Sequence, residues 1–115
     1  MIGNTSVQTQ TSQQLDRVFQ ALSDSTRRSI LRNLINGERS VSEIAEPFEL
    51  TFAAVSKHLK VLEVAELIDR RKQGSFQMIK LNPKNLKTAD QWLRFYEQFW
   101  SSRIDALKTL LEEKE

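Results

Sequence analysis

The sequence predicts one mainly α-helical domain that carries a small β-hairpin and closes on a long helix. Three observations predict it. Apolar residues recur at helical spacing through four successive short segments, the period falls to that of strands around a single glycine between residues 67 and 81, and residues 85–113 contain neither Gly nor Pro. A chain of 115 residues is long enough for one domain with a modest core and too short for two. Its 39% apolar and 28% charged residues fit an ordinary soluble protein with a large exposed surface.

The N-terminal stretch "MIGNTSVQTQTSQQ" is rich in Thr, Gln and Ser, so residues 1–13 are expected to form a flexible arm and residues 14–115 the folded domain. That stretch has neither a basic start nor an apolar run, and no later segment approaches the roughly 20 apolar residues that cross a bilayer. A cytoplasmic protein with no membrane partner is expected. Leu15, Val18, Phe19 and Leu22 then make one face of a first helix that stops at Ser23. Asp24 can cap a second helix, with Ile30, Leu31, Leu34 and Ile35 as its buried stripe and Gly37 as its stop. Ser40 and Glu43 form a capping box for a short third helix, which turns Ile44 and Ala45 inward and is ended by Pro47. Thr51 offers the next N-cap, and Phe52, Val55, Leu59 and Leu62 share the core face of a fourth helix. "LIDRRKQ" and "SFQMIKL" flank Gly74 as the strands of a hairpin that Pro83 closes. In the last helix Ala89, Trp92, Leu93, Tyr96, Phe99, Trp100, Ile104, Leu107 and Leu111 step by three and four. No internal repeat is visible.

Charge is distributed unevenly. Residues 51–84 hold seven basic and three acidic groups, whereas residues 1–50 and 85–115 each hold five basic and six acidic ones. Concentrated positive charge is the footprint of an anionic partner, most often nucleic acid. The chain has no Cys, which removes disulfides, thiolate metal sites and cysteine nucleophiles. One His and glycines only at positions 3, 37 and 74 leave no nucleophile-base pair and no glycine-rich phosphate loop, so no enzyme and no cofactor are expected.

A helix, a tight turn, a second helix and a hairpin compose a winged helix-turn-helix. The major groove admits one α-helix, and a helix that reads it needs short side chains near its start and hydrogen-bonding or cationic groups further on. Thr51, Ala53, Ala54, Ser56, Lys57 and Lys60 meet that description. Arg70, Arg71 and Lys72 on the hairpin could then reach phosphates or the minor groove, and Ser75 and Gln77 could bond to the DNA backbone. His58 falls between the core and groove faces; it is counted with the DNA-facing set, although a lone histidine in such a place is more often packed or hydrogen-bonded within the protein. Double-stranded DNA is the expected partner. A winged helix that contacts only an acidic protein is the alternative.

The run "LSDSTRRSILRNLINGERSVSEIAEPFELTFAAVSKHLKVLEVAELIDRRKQGSFQMIKLNP", with the long helix after it, resembles the ArsR/SmtB family of bacterial transcriptional regulators. The combination of "SDxTRRxIL", "SVSEIAEPF" and "AVSKHLKVLExAxLI" carries the resemblance. It implies a homodimeric repressor, joined through its first and last helices, that leaves its operator when an effector binds and works at the nucleoid when bound. It also implies a subgroup often encoded beside proteins of the hydrophobic-ligand-binding type, with a small hydrophobic effector of unknown identity as a further partner. The metal-sensing members carry cysteines where this chain reads "VSEIAEPF", or a His and carboxylate set in the last helix, where this chain offers Asp90, Glu97 and Asp105. Zinc and softer metals favour nitrogen and sulfur ligands, so no metal site is expected. Ser25 stands where the family usually has a helix-starting proline. Glu49 and Glu66 stand where glycine is common, at a cost of up to about 1 kcal/mol each if a positive φ is kept.

Trp92, Phe95, Tyr96, Phe99 and Trp100 put five of the chain's nine aromatic residues within nine positions of the last helix. Such a surface fits an interface between copies. Leu15, Phe19, Trp92, Tyr96, Phe99, Trp100, Ile104 and Leu107 are its expected residues, and a ligand pocket lined by the same rings is the alternative.

Overall fold

The computed structural model describes residues 2–113, with side chains described from residue 12 onward. Its elements are α1 (Ile2–Leu22), α2 (Ser25–Asn33), β1 (Arg39–Ser40), α3 (Val41–Ala45), α4 (Phe52–Val64), β2 (Ile68–Gln73), β3 (Phe76–Leu81) and α5 (Pro83–Glu113). The fold is a winged helix-turn-helix with a long C-terminal helix. Helix α1 runs back to Ile2, through the stretch expected as an arm.

Each short helix starts where its sequence supplies a cap. The Asp24 carboxylate accepts from the Arg27 N–H at 3.0 Å, and the Thr51 hydroxyl accepts from the Ala54 N–H at 3.1 Å. At α3 the box is complete, because Glu43 accepts from the Ser40 N–H at 3.0 Å while the Glu43 N–H donates to the Ser40 hydroxyl. Both backbone N–H bonds hold their carboxylates, Asp24 and Glu43, below the usual carboxylate range. Helix α4 ends in a Schellman motif. The Leu67 N–H bonds to the Leu62 carbonyl and the Glu66 N–H to the Glu63 carbonyl, with Glu66 at φ +57°. Of the two sites where the resemblance implies glycine, Glu66 keeps a positive φ and Glu49 does not.

The core collects Val18 and Ala21 of α1, Ile30 and Leu31 of α2 with Leu34 after it, Ile44 of α3, Val55, Leu59 and Leu62 of α4, Ile68 and Ile79 of the hairpin, and Ala89 of α5. Burying an aliphatic side chain of this kind contributes roughly 1.5–3 kcal/mol, and α4 buries three of them completely. Two residues expected in this core lie outside it. Ile35 is 68% exposed, because α2 ends at Asn33 and the helical stripe no longer governs where Ile35 points. Phe52 is 63% exposed, because it is the first residue of α4 and a helical Cβ leans back toward the N-terminus, past the edge of the core.

Strands β2 and β3 pair antiparallel from Ile68↔Leu81 to Gln73↔Phe76, which leaves Gly74 and Ser75 as the turn. Gly74 sits at φ +61°, the left-handed value that tight hairpin turns require. Strand β1 adds a third member on the other side of β3, with Arg39 opposite Ile79 and Ser40 opposite Met78. Pro83 begins α5, where its missing N–H costs nothing, and the Asn82 side chain accepts from the Lys84 N–H. Buried Asn85 fastens this end of α5 by donating to the Ala65 carbonyl at 2.9 Å.

From Asp90 to Glu113 every residue of α5 is exposed. Beyond its contact with α1 through Trp92, the helix projects from the domain. No helix among the described residues is long and apolar enough to cross a membrane.

Candidate nucleic-acid interface

Helix α4 is seated by Val55, Leu59 and Leu62, which fixes what its other sides present. Ala53, Lys57, Lys60 and Val64 form an exposed outer stripe at i, i+4, i+7 and i+11. The short Ala53 near the start and the cations further along match what close approach to a groove demands. Thr51, exposed, spends its hydroxyl on the cap, and Ala54 is half-buried beside it.

The side of α4 that turns toward the hairpin carries Phe52, Ser56 and Glu63. Phe52 and Ser56 line a groove of about 420 Å³ together with Arg70, Ser75, Phe76 and Gln77. Four expected contact residues, Ser56, Arg70, Ser75 and Gln77, therefore converge on one hollow between helix and wing. Phe52 and Phe76 belong to the same hollow, outside the contact set that the sequence predicts. The signal that could have found Phe52 is its place immediately after the Thr51 cap, ahead of the first full turn.

Alternation along β2 splits the basic run. Ile68, Arg70 and Lys72 face the α4 side, whereas Asp69, Arg71 and Gln73 face the other. Arg70 lies 3.3 Å from the Glu63 carboxylate and donates to the Gln77 side chain at 2.6 Å. Lys60 lies 3.8 Å from that same carboxylate. Arg71 forms an ion pair with Glu38 through two nitrogens on the far face, which holds Glu38 below the usual carboxylate range and raises Arg71. It borders a separate hollow of about 500 Å³ with Ile35, Glu38, Lys80 and Leu81. The cations expected together are thus divided between two faces. Lys57 and Lys72 enter no ion pair among the described residues.

His58 lies behind the outer stripe. Its Nδ1 is 3.3 Å from Arg27 Nη1 and 3.8 Å from the Asp24 carboxylate. Arg27 also donates from Nε to the Ala21 carbonyl at 2.7 Å and from Nη2 to the Gln20 carbonyl at 3.0 Å, so one guanidinium closes the end of α1 and meets the back of α4. Among the described residues, no three His, Cys, Asp or Glu side chains are grouped as a metal site would need.

The expected interface residues sit on α1 and α5. Leu15 and Phe19 pack partly against the core, and the Phe19 ring meets Trp92 edge-on at 5.4 Å. The Trp92 ring in turn lies 4.4 Å from that of Tyr96, tilted by 43°. Phe99, Trp100, Ile104 and Leu107 stand exposed beyond them, and Arg103 lies over the Phe99 ring at 4.5 Å. An apolar groove of about 280 Å³ lies elsewhere, lined by Leu22, Leu31, Ile35, Leu81 and Leu86 with Arg28 and Arg32. It falls at the lower edge of the roughly 300–1,000 Å³ usual for small-molecule sites.

Residues 24–70, the stretch from the Asp24 cap through the first half of β2, match the family described as bacterial regulatory protein, arsR family. The chain is 35% identical over 97 residues to the HTH-type transcriptional regulator Rv2034 of Mycobacterium tuberculosis, an alignment that covers 84% of this chain and 88% of that one. It is 37% identical over 79 residues to the transcriptional repressor SdpR of Bacillus subtilis, covering 69% of this chain and 88% of that protein. Among solved structures, the ArsR-like transcriptional regulator from Rhodococcus sp. RHA1 superposes with a TM-score of 0.73 at 30% identity, covering 93% of this chain and 98% of that one.

Proposed function

The chain belongs to the ArsR family and is a DNA-binding transcriptional regulator, not an enzyme, and from that premise we propose that it acts as a homodimeric repressor on a palindromic operator and senses no metal. The observation that carries the DNA-contact part is the seating of α4. Its buried stripe of Val55, Leu59 and Leu62 commits Ala53, Lys57 and Lys60 to solvent, beside a wing that offers Lys72. In this reading α4 enters the major groove, and the wing lies against the flanking backbone, where Ser75 and Gln77 bond to phosphate or sugar. Arg70 contributes from the groove between them, whereas Arg71 and His58 serve chiefly within the protein.

Dimerisation is supported by α5, whose exposed aromatic face is more than a single chain leaves in water. Residues 14–115 then form one DNA-binding and dimerisation unit. A rigid dimer offers two copies of α4 to half-sites about one helical turn apart, and weak half-site contacts reinforce one another through high effective concentration. Repression is supported by the likeness to SdpR. The absence of cysteine, and the engagement of the one histidine with Arg27, support a regulator that does not respond to metal. A small hydrophobic effector has the groove around Ile35 and Leu86 as its candidate seat. Such a regulator works in the cytoplasm, at the nucleoid when bound.

Selection from a random duplex library tests this reading. The expected result is an imperfect palindrome bound by two chains, with affinity that falls steeply as salt rises and is unchanged by chelator or low-micromolar zinc. Equal binding to all duplexes would remove the operator, and a one-to-one complex would remove the dimer.

A further inference from the structure

Resting on the DNA-binding reading above, the geometry points to Phe52 as a specificity residue that recognises a thymine methyl group in each half-site. Phe52 is the first residue of α4, directly after the Thr51 cap, and the residue is 63% exposed although the rest of its stripe is sealed in the core. It borders the helix–wing groove with Ser56, Arg70 and Phe76. A large apolar ring held in water is unfavourable for a free monomer, and nothing in the fold of the domain requires a phenyl group there. The position is nevertheless the one that a groove-reading helix presents first to base edges.

A phenyl ring can neither donate nor accept a conventional hydrogen bond, so it cannot read the donors and acceptors of guanine, cytosine or adenine. The one apolar group on the major-groove edge of the ordinary bases is the C5 methyl of thymine. Phe52 therefore selects by burying that methyl, while the cations near it hold the backbone without regard to sequence. Phe76, 59% exposed on the other wall, belongs to the wing, which lies beside the backbone and outside the major groove, and takes no part in this discrimination.

The methyl can be removed without altering hydrogen bonding, because deoxyuridine replaces thymidine with that single change. The selected operator is prepared with each symmetric pair of thymidines replaced in turn by deoxyuridine, and titrated with the wild-type protein, with Phe52→Ala and with Phe76→Ala. One symmetric pair is expected to weaken wild-type binding by about fourfold per half-site, about fifteenfold for both, from the transfer of one methyl-sized group. Phe76→Ala should keep that ratio, and Phe52→Ala should bind the two operators alike. Equal affinity of wild type for every substituted operator, or undiminished discrimination by Phe52→Ala, would overturn the assignment while leaving DNA binding intact. Failure to select any duplex would instead overturn the function on which the assignment rests.

Discussion

Ser25 occupies the first position of α2, and the residue before it, Asp24, is already extended at φ −107° and ψ 131°. That conformation is the one a following proline imposes, and a proline at this position loses no helical hydrogen bond. Ser25→Pro should therefore stabilise the domain by about 0.4–1 kcal/mol by restricting the unfolded chain. Glu66 offers a second gain. Its φ of +57° is costly for a residue with a Cβ, although its carboxylate accepts from Gln14 at 3.2 Å. Glu66→Gly should be the more stable form by about 0.5–1 kcal/mol, and thermal melts should show each variant a few degrees above wild type. At this scale the capping residues Asp24, Ser40 and Thr51 were legible, because a side chain and an N–H three residues on suffice to specify a cap. Phe52 and Ile35 were not. Ile35 continues an apolar period past the end of α2, and Phe52 is the first residue of α4; at either margin the period no longer determines direction.

At the scale of elements, the basic segment was legible as a charge run but not as a charge distribution. Sequence places Arg70 and Arg71 side by side, whereas the strand puts them on opposite faces, one against Glu63 and the other against Glu38. The second partnership spans 33 residues and depends on how the hairpin folds over the end of α2, which no local pattern encodes. Strand β1 escaped for a similar reason: two residues cannot show an alternation, and only their pairing with Ile79 and Met78 makes them a strand. The consequence is measurable in the slope of log affinity against log salt. Lys57→Ala and Lys72→Ala should each lower that slope by about 0.9 for every phosphate left without its cation, hence about 1.8 per dimer. Arg71→Ala should lower it by less, since its charge is already matched by Glu38. A larger effect at Arg71 than at Lys57 would mean that the ion pair opens on DNA.

For the whole molecule, the radius of gyration is 19.1 Å, against the roughly 13 Å of a compact chain of this length. Helix α5 spans about 46 Å at about 1.5 Å per residue, and its last 24 residues, Asp90 to Glu113, all stay exposed even though Trp92 meets Phe19 of α1. The aromatic spacing made this helix legible in advance; its projection from the domain was not, because nothing in a periodic stripe says which chain will cover it. Truncating an aromatic anchor at an interface typically costs about 2 kcal/mol or more. Trp100→Ala should accordingly raise the dimer dissociation constant by about 30-fold in sedimentation. Operator affinity should fall with it although no DNA-facing side chain has changed. A wild-type protein that sediments as a monomer at micromolar concentration would refute the dimer and the symmetric operator together.

The Arg27 guanidinium, which closes the end of α1 and meets His58 on the back of α4, gives such a dimer the character of a ruler. With the reading helix pinned to the helix that adjoins α5, the distance between two reading helices is set by protein packing and cannot stretch to suit the DNA. One base pair inserted between half-sites turns the second by about 35° and carries it about 3.4 Å further along the axis. Wild-type protein should reject that operator strongly. Arg27→Ala, with the pin withdrawn, should bind the native and lengthened operators with more nearly equal affinity. The ratio of the two dissociation constants measures this tolerance, independently of any loss of overall stability.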